Sequence, residues 1–116
     1  PVQAVVELSD IYFDFDRYVI RSEARSLLEA NAGVLKRQPS EDLLIEGHCD
    51  ERGTNEYNLA LGERRALAAR AFLVSLGISA DRLRTVSYGK EFPFDAGHDE
   101  SAWQNNRRAH FVITAK

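Results

Sequence analysis

Four charged side chains, two acidic and two basic, have the types that could recognise a ligand together. They are Asp16, Asp50, Arg52 and Arg65. A carboxylate accepts hydrogen bonds from an ammonium group, and a guanidinium fork holds a carboxylate through two parallel hydrogen bonds. A site with both kinds of group suits a ligand that carries an amine and a carboxylate. The alternative is structural: Asp50 helps to cap a helix, and Arg65 lies on a solvated surface.

Two apolar segments, each ending at or just before one of these aspartates, are predicted to be strands. Residues 11–16 alternate in polarity, so the strand ends at Asp16 and its core face carries Ile11, Phe13 and Phe15. The apolar residues 43–49 predict a second, buried strand that leads directly into Asp50. Both aspartates are therefore expected at strand ends.

A helix is predicted between these two strands, over residues 22–38, with Ser22 as its N-cap and Pro39 as its stop. A strand, a helix and a second strand in succession favour a right-handed crossover and a parallel pair. The two strands would then end at the same edge of the sheet. We therefore expect Asp16 and Asp50 to lie close together.

A second helix is predicted over residues 55–76, with Thr54 as N-cap and Gly77 at its C-terminal end. One stripe should be buried against the sheet: Leu59, Gly62, Ala66, Ala69, Leu73 and Leu76. Asn58, Leu61 and Arg65 form a neighbouring row. Helical side chains lean toward the N-terminus, so Arg65 should reach back toward Asp50, and its truncation should cost folding little.

The rest of the chain predicts a strand over 83–88, a loop over 90–100, a short helix over 103–107 and a last strand over 110–114. The fold class expected is therefore α/β (α+β): a two-layer βαβαβ(α)β sandwich with a mixed sheet of about four strands. Residues 1–10 are expected to be an N-terminal lead-in, in which 2–8 is a weak apolar tail or edge strand, and 11–116 the domain.

The composition fits one globular domain without a basic surface. The 116 residues include 15 basic and 18 acidic side chains, a net charge of −3, so we expect no nucleic-acid partner. No apolar run approaches the roughly 20 residues that span a bilayer. Because the chain begins at Pro1 and carries no signal peptide or acylation motif, we expect it to be a soluble part of a longer protein.

A metal site is one alternative for His48, Cys49 and Asp50, because all three side-chain types bind zinc. Neighbouring strand residues point to opposite faces, so His48 and Cys49 should not share an ion. Cys49 is instead predicted to be a buried core residue and His48 a hydrogen-bonded strand residue. No metal or other cofactor is expected.

A carboxylate-dependent glycan hydrolase is the other alternative. Asp14 and Asp16 lie about 6.6 Å apart along the predicted strand, and with Asp50 they resemble an acid–base pair. Arg52 and Arg65 weaken this hypothesis, because nearby cations keep carboxylates ionised and a general acid needs a raised pKa. We therefore expect a non-catalytic protein.

Several sequence blocks resemble the outer-membrane protein A-like (OmpA-like) C-terminal domain family, most closely its peptidoglycan-associated lipoprotein branch. The main block is GHCDERGTNEYNLALGERRA at 47–66. Further blocks, in the family's order, are YFDFD at 12–16, VSYGK at 86–90, GHDE at 97–100 and NNRRA at 105–109. The blocks lie between residues 12 and 109, and the resemblance as a whole covers roughly residues 11–114.

The resemblance implies the role of the charged residues. In that family, residues at the positions of Asp50 and Arg65 hold the amine and the carboxylate of diaminopimelate in the peptide stem of peptidoglycan. Asp16 and Arg52 also fall on positions used for the peptide. The resemblance assigns Leu61 and Asn105 to the peptide site less specifically, and Arg107 least specifically.

The resemblance also implies a place in the cell. Members of this branch tether the outer membrane to the wall from the periplasmic face, through a lipid anchor outside these residues. They also bind TolB, the periplasmic propeller protein of the Tol system. The segment 91–96 departs from the family pattern, and the sequence assigns it no role.

Overall fold

The computed structural model describes residues 8–115, so the predicted lead-in over 2–8 falls almost wholly outside the described residues. Its elements follow the predicted order, with strands separated by helices along the chain. They are β1 Ile11–Tyr12, α1 Ser22–Arg37, β2 Glu41–His48, α2 Asn55–Ser75, a 3-10 turn Ala80–Arg82, β3 Leu83–Gly89, α3 Glu100–Asn106 and β4 Arg108–Ala115. In the described part, no helix is long and apolar enough to cross a membrane.

The four strands form one mixed sheet in the order β1-β4-β2-β3. β2 and β3 are parallel, and β4 runs antiparallel to both β1 and β2. The predicted pairing of β1 with β2 is therefore wrong, because β4 lies between them. β1 and β2 still run in the same direction, so their C-terminal ends reach the same edge of the sheet.

β1 is much shorter than the predicted strand. Among residues 8–115, one further backbone hydrogen bond holds it to the sheet beyond Tyr12, from Phe13 N–H to the Arg107 carbonyl at 2.8 Å. The chain then turns, and Asp16 adopts a positive φ of 55°, a conformation that Asp tolerates better than most residues. The turn leaves Phe15 55% exposed, so its predicted place in the core is wrong.

Both long helices contribute to the core on one face of the sheet. Leu28 and Leu35 of α1 and Leu73 of α2 are buried with Leu43 and Ile45 of β2. α1 has no side-chain N-cap, because Ser22 is already the first helical residue. Thr54 does cap α2, as predicted, by accepting a hydrogen bond from the Tyr57 amide at 3.1 Å.

The buried face of α2 includes most of the predicted stripe, since Gly62, Ala66, Ala69 and Leu73 are buried. It also extends onto the neighbouring row of Asn58, Leu61 and Arg65, whereas Leu59 is 38% exposed. A close contact between α2 and β2 fixes which face of the helix is buried. A Cβ at Gly47 would lie 1.7 Å from the Gly62 carbonyl oxygen, so the backbones approach more closely than any side chain permits.

Candidate functional site

A cavity of about 230 Å³ opens at the sheet edge where the β1 and β2 segments end. Five of the six predicted site residues line it: Asp16, Asp50, Arg52, Leu61 and Arg65. The other lining residues come from the same three segments: Phe15, Cys49, Gly53, Tyr57 and Asn58. The structure therefore brings together the four charged side chains that the sequence predicted to meet.

Asp50 lies at the end of β2 and is only 4% exposed. Its Oδ1 accepts hydrogen bonds from the Arg52 backbone N–H at 3.0 Å and from Arg52 Nε–H at 3.2 Å. Its Oδ2 accepts from Arg52 Nη2–H at 2.9 Å and lies 3.5 Å from Arg107 Nη1. Burial opposes ionisation, but the bonds from Arg52 outweigh it and lower the pKa of Asp50 below its ordinary value. The cavity thus holds a buried, ionised carboxylate.

The Arg52 guanidinium is fixed by aromatic rings as well as by Asp50. Its central carbon lies 4.0 Å from the centroid of the Phe15 ring and 4.1 Å from that of the Trp103 ring. The hydrogen bond to Asp50 raises the pKa of Arg52 above its ordinary value. Phe15 and Trp103 therefore act as positioning residues, although the sequence predicted Phe15 to lie in the core.

Arg65 is 1% exposed, which corrects the expectation that it lies beside the buried face. Its guanidinium donates to three backbone carbonyls: Nε–H to Arg17 at 2.8 Å, Nη1–H to His48 at 2.9 Å and Nη2–H to Asp14 at 3.1 Å. Burial lowers the pKa of Arg65 below its ordinary value. Arg65 consequently joins the β1–α1 turn to the end of β2, besides lining the cavity.

Asp16 lies on the exposed side of the cavity, and the Tyr57 hydroxyl donates a hydrogen bond to its Oδ1. That bond joins the β1–α1 turn to the first turn of α2, and it raises the pKa of Tyr57. Asp16 reaches the cavity from a turn, and not from the end of a long strand as predicted. Asp14 and Asp16 therefore do not share a strand face, and of the two only Asp16 lines the cavity with Asp50.

Asn105, the sixth predicted residue, does not line the cavity. Its Nδ2 donates to Asp95 Oδ2 at 3.2 Å, in the loop before α3. Arg107, which the resemblance assigned to the peptide site least specifically, lies next to Asp50, with Nη1 3.5 Å from Asp50 Oδ2. It is 6% exposed, and it donates to the Phe13 carbonyl at 2.9 Å and to Glu100 Oε1 at 2.8 Å.

The loop between β2 and α2 is tied down by its neighbours. Asn58 Nδ2 donates to the Arg52 carbonyl at 2.8 Å, and Lys90 Nζ donates to the Gly53 carbonyl at 2.6 Å. Glu51 accepts a bond from Trp103 Nε1–H at 2.7 Å, which lowers the pKa of Glu51. These bonds hold the positions of Asp50 and Arg52 without a ligand, so the cavity is preformed.

Cys49 is buried, as predicted, at 3% exposure. Its thiol donates to the Asn58 carbonyl at 3.2 Å, and burial raises its pKa to about 11, so it stays protonated at neutral pH. His48 lines a different cavity from Cys49, as expected for neighbours on a strand. Residues 8–115 contain no group of three or more His, Cys, Asp or Glu side chains placed to hold a metal ion.

Comparison with known proteins identifies the family to which this chain belongs. The OmpA family model matches residues 12–107, which include every residue of the cavity. The chain belongs to the OmpA family. Among curated members, the peptidoglycan-associated lipoproteins of Rhizobium meliloti and Agrobacterium fabrum are each 52% identical to it over 103 residues. The alignment extends over 89% of this chain and 58% of each relative, so this chain spans less than two thirds of their length.

Solved structures agree with the fold. The crystal structure of the peptidoglycan-associated lipoprotein from Burkholderia pseudomallei is similar at 48% identity, with a TM-score of 0.87, over 90% of this chain and 89% of that one. The C-terminal domain of Helicobacter pylori MotB shares the fold alone, at 17% identity and a TM-score of 0.86, over 93% and 85% of the two chains. The predicted family and two-layer fold are both confirmed.

Proposed function

We propose that this OmpA domain binds the diaminopimelate-containing peptide stem of peptidoglycan without catalysing a reaction. One observation carries the proposal. A preformed cavity places two acidic and two basic side chains around one volume, in a chain half identical to proteins named peptidoglycan-associated lipoprotein. A ligand end that bears both an ammonium and a carboxylate matches this set of charges.

Counting hydrogen-bonding capacity indicates how the two charges of the ligand divide. Arg65 has five N–H donors and uses three on backbone carbonyls, which leaves two for a ligand carboxylate. Asp50 accepts three bonds from Arg52 out of about four positions on its carboxylate. We assign the ligand ammonium to the remaining position on Asp50 together with the exposed carboxylate of Asp16.

The other predicted residues support this arrangement in different ways. Leu61 is 8% exposed in the cavity wall and offers an apolar surface to the methylene chain between the two charged ends. Arg52, clamped between two rings, holds Asp50 ionised and presents a charged edge toward the rest of the stem. Asn105 acts through the loop that contains Asp95, so we assign it an indirect role.

The electrostatics argue against the hydrolase hypothesis. A carboxylic acid that protonates a glycosidic oxygen needs a pKa raised toward neutrality. The bonds from Arg52 lower the pKa of Asp50. A carboxylate held in the charged form suits ion pairing with an ammonium group, which supports binding rather than bond cleavage.

By the same reasoning we propose the cellular role implied by the named relatives. The domain would tether the outer membrane to the wall from the periplasmic face, with a lipid anchor attached outside these residues. TolB, the periplasmic propeller protein of the Tol system, would be its protein partner. The name of the relatives at about 50% identity, peptidoglycan-associated lipoprotein, supports the tether, whereas the partner rests on the sequence resemblance alone. Co-purification of the full-length protein with outer membranes and with the propeller protein tests the two proposals.

The binding proposal can be tested by retention on intact wall sacculi. Asp16→Asn removes one charge but keeps an acceptor for Tyr57 and a residue that tolerates positive φ. Because exposed ion pairs contribute about 0.2–1 kcal/mol, retention should weaken up to about fivefold. Asp14→Asn is the matched control, since Asp14 is exposed nearby and does not line the cavity.

Two results would contradict the proposal. The first is equal retention of Asp16→Asn and Asp14→Asn, which would place the stem elsewhere. The second is release of soluble fragments from purified sacculi at a rate that depends on Asp50, which would restore the hydrolase hypothesis.

A further inference from the structure

A smaller cavity, of about 140 Å³, adjoins the stem cavity, where we place diaminopimelate. The two cavities share three lining residues: Asp16, Tyr57 and Leu61. The other lining residues of the smaller one are Tyr18, Ala60 and Arg64. Of all six only Leu61 is buried, so a ligand can reach this space from solvent. The side pocket, as we call this smaller cavity, is therefore an open continuation of the stem cavity.

Arg64 supplies the positive charge of the side pocket. It is exposed on α2, and its central guanidinium carbon lies 5.6 Å from the centroid of the Tyr18 ring. Such a contact is an attraction between the cation and the ring, so the five N–H donors of the guanidinium stay available. No carboxylate of residues 8–115 lies within ion-pair distance of Arg64. Arg64 can therefore hold a ligand carboxylate through two parallel hydrogen bonds.

The carboxylate that we assign to Arg65 is out of reach of Arg64. Adjacent side chains of an α-helix point about 100° apart, because 3.6 residues complete one turn. Arg65 is 1% exposed and donates to backbone carbonyls beside the stem cavity, whereas Arg64 is exposed and lines the side pocket. A carboxylate held by Arg64 must therefore belong to another part of the ligand.

We propose that Arg64 binds a further carboxylate of the stem, on the main chain next to diaminopimelate. The inference rests on the proposed function, in which the side-chain end of diaminopimelate occupies the stem cavity. The main chain then leaves that cavity past Tyr57 and Leu61, which both cavities share. A stem has a free main-chain carboxylate on each side of diaminopimelate: the α-carboxylate of the γ-linked glutamate before it and the C-terminal carboxylate after it. Either one offers Arg64 the same chemistry.

Charge complementarity favours this occupant of the side pocket. The ammonium and the carboxylate at the side-chain end of diaminopimelate cancel, so the main-chain carboxylates give the stem its net negative charge. The domain is itself acidic, with a net charge of −3, and would repel such a peptide unless cations stand where its carboxylates lie. Arg64 places one exposed cation at the continuation of the stem cavity, where the main chain of the stem would pass.

Calorimetric titration with three diaminopimelate stem peptides tests the inference. One peptide has both main-chain carboxylates free, the second has the glutamate α-carboxylate as an amide, and the third has a C-terminal amide. One of the two amides should weaken binding about two- to fivefold, the range of an exposed ion pair, and so identify the carboxylate that Arg64 binds. Arg64→Gln should weaken binding of the first peptide by the same factor and abolish the effect of that amide. Arg25→Gln, the matched control, removes the same charge from an exposed position on α1 outside both cavities and should keep the full effect of the amide.

The outcomes separate this inference from the function on which it rests. Equal affinities for the three peptides, or an amide effect that persists in Arg64→Gln, would overturn the role of Arg64. If diaminopimelate were still preferred over lysine, the stem cavity would stand. The same loss of affinity in Arg25→Gln as in Arg64→Gln would also overturn it, because the effect would then be one of general charge. An amide effect that disappears only in Arg64→Gln, with no preference for diaminopimelate, would support Arg64 and refute the assignment of Arg65.

Discussion

Replacing Arg65 by alanine should destabilise the fold as well as weaken the site. The buried guanidinium joins three segments through carbonyl groups of Arg17, His48 and Asp14. The bond to His48 is fully buried, and leaving its carbonyl unpaired costs about 1–3 kcal/mol. Loss of the packing of a fully buried side chain adds about 2–3 kcal/mol. Part of this loss is offset, because alanine does not carry the desolvation penalty of the buried guanidinium, the same penalty that lowers the pKa of Arg65.

The expected loss of unfolding free energy for Arg65→Ala is therefore about 2–4 kcal/mol. For a domain of this size it corresponds to a fall in melting temperature of roughly 8–20 °C. Thermal and urea denaturation followed by circular dichroism measure it. Arg64→Ala is the matched control: Arg64 is exposed on the same helix, and its change should stay within about 0.5 kcal/mol. A melting temperature for Arg65→Ala equal to that of Arg64→Ala would refute the structural role of Arg65.

Two other perturbations have defined outcomes. Gly47→Ala should cost at least about 2 kcal/mol of unfolding free energy, because its Cβ would lie 1.7 Å from the Gly62 carbonyl oxygen. Gly33→Ala, where a Cβ meets nothing closer than 3.7 Å, should instead stabilise α1 by about 0.5–1 kcal/mol, and urea titrations compare the two. Because burial lowers the pKa of His48, the unfolded chain binds this proton more readily, so stability should fall as pH drops from about 6.5 toward the lower folded-state pKa. Melting temperatures measured across that range should lose this pH-dependent fall in His48→Gln. They should keep it in His98→Gln, the control, because the His98 side chain is 80% exposed. A His48→Gln variant with the same pH profile as the unsubstituted protein would refute the role of His48.

Much of the fold was predictable because its signals are local. The apolar run before Asp50, the Thr54 cap and the alternation through Phe13 each act over a few residues, and the structure has the predicted order of elements. The meeting of Asp16 with Asp50 was predicted from a parallel β1–β2 pair, and both residues do line one cavity. That prediction is confirmed even though β4 separates the two strands, because β1 and β2 run in the same direction.

The errors arose where distant segments decide the structure. No local pattern shows that β4 enters the sheet between β1 and β2, because strand pairing depends on contacts across the whole chain. Phe15 alternates like a core residue, but the positive φ at Asp16 turns the chain and leaves its ring against Arg52. Arg65 resembled a surface residue because its partners are backbone carbonyls, which carry no side-chain signal.

The most direct test of the central claim compares two stem peptides that differ only in the third residue. Diaminopimelate ends in an amine and a carboxylate, whereas lysine ends in the amine alone. If the two remaining N–H groups of Arg65 receive the carboxylate, a lysine stem leaves a buried cation without its partner. Calorimetric titration should then show at least about tenfold weaker binding of the lysine peptide. Equal affinities for the two peptides would contradict the account, because Arg65 would not be reading the second carboxylate.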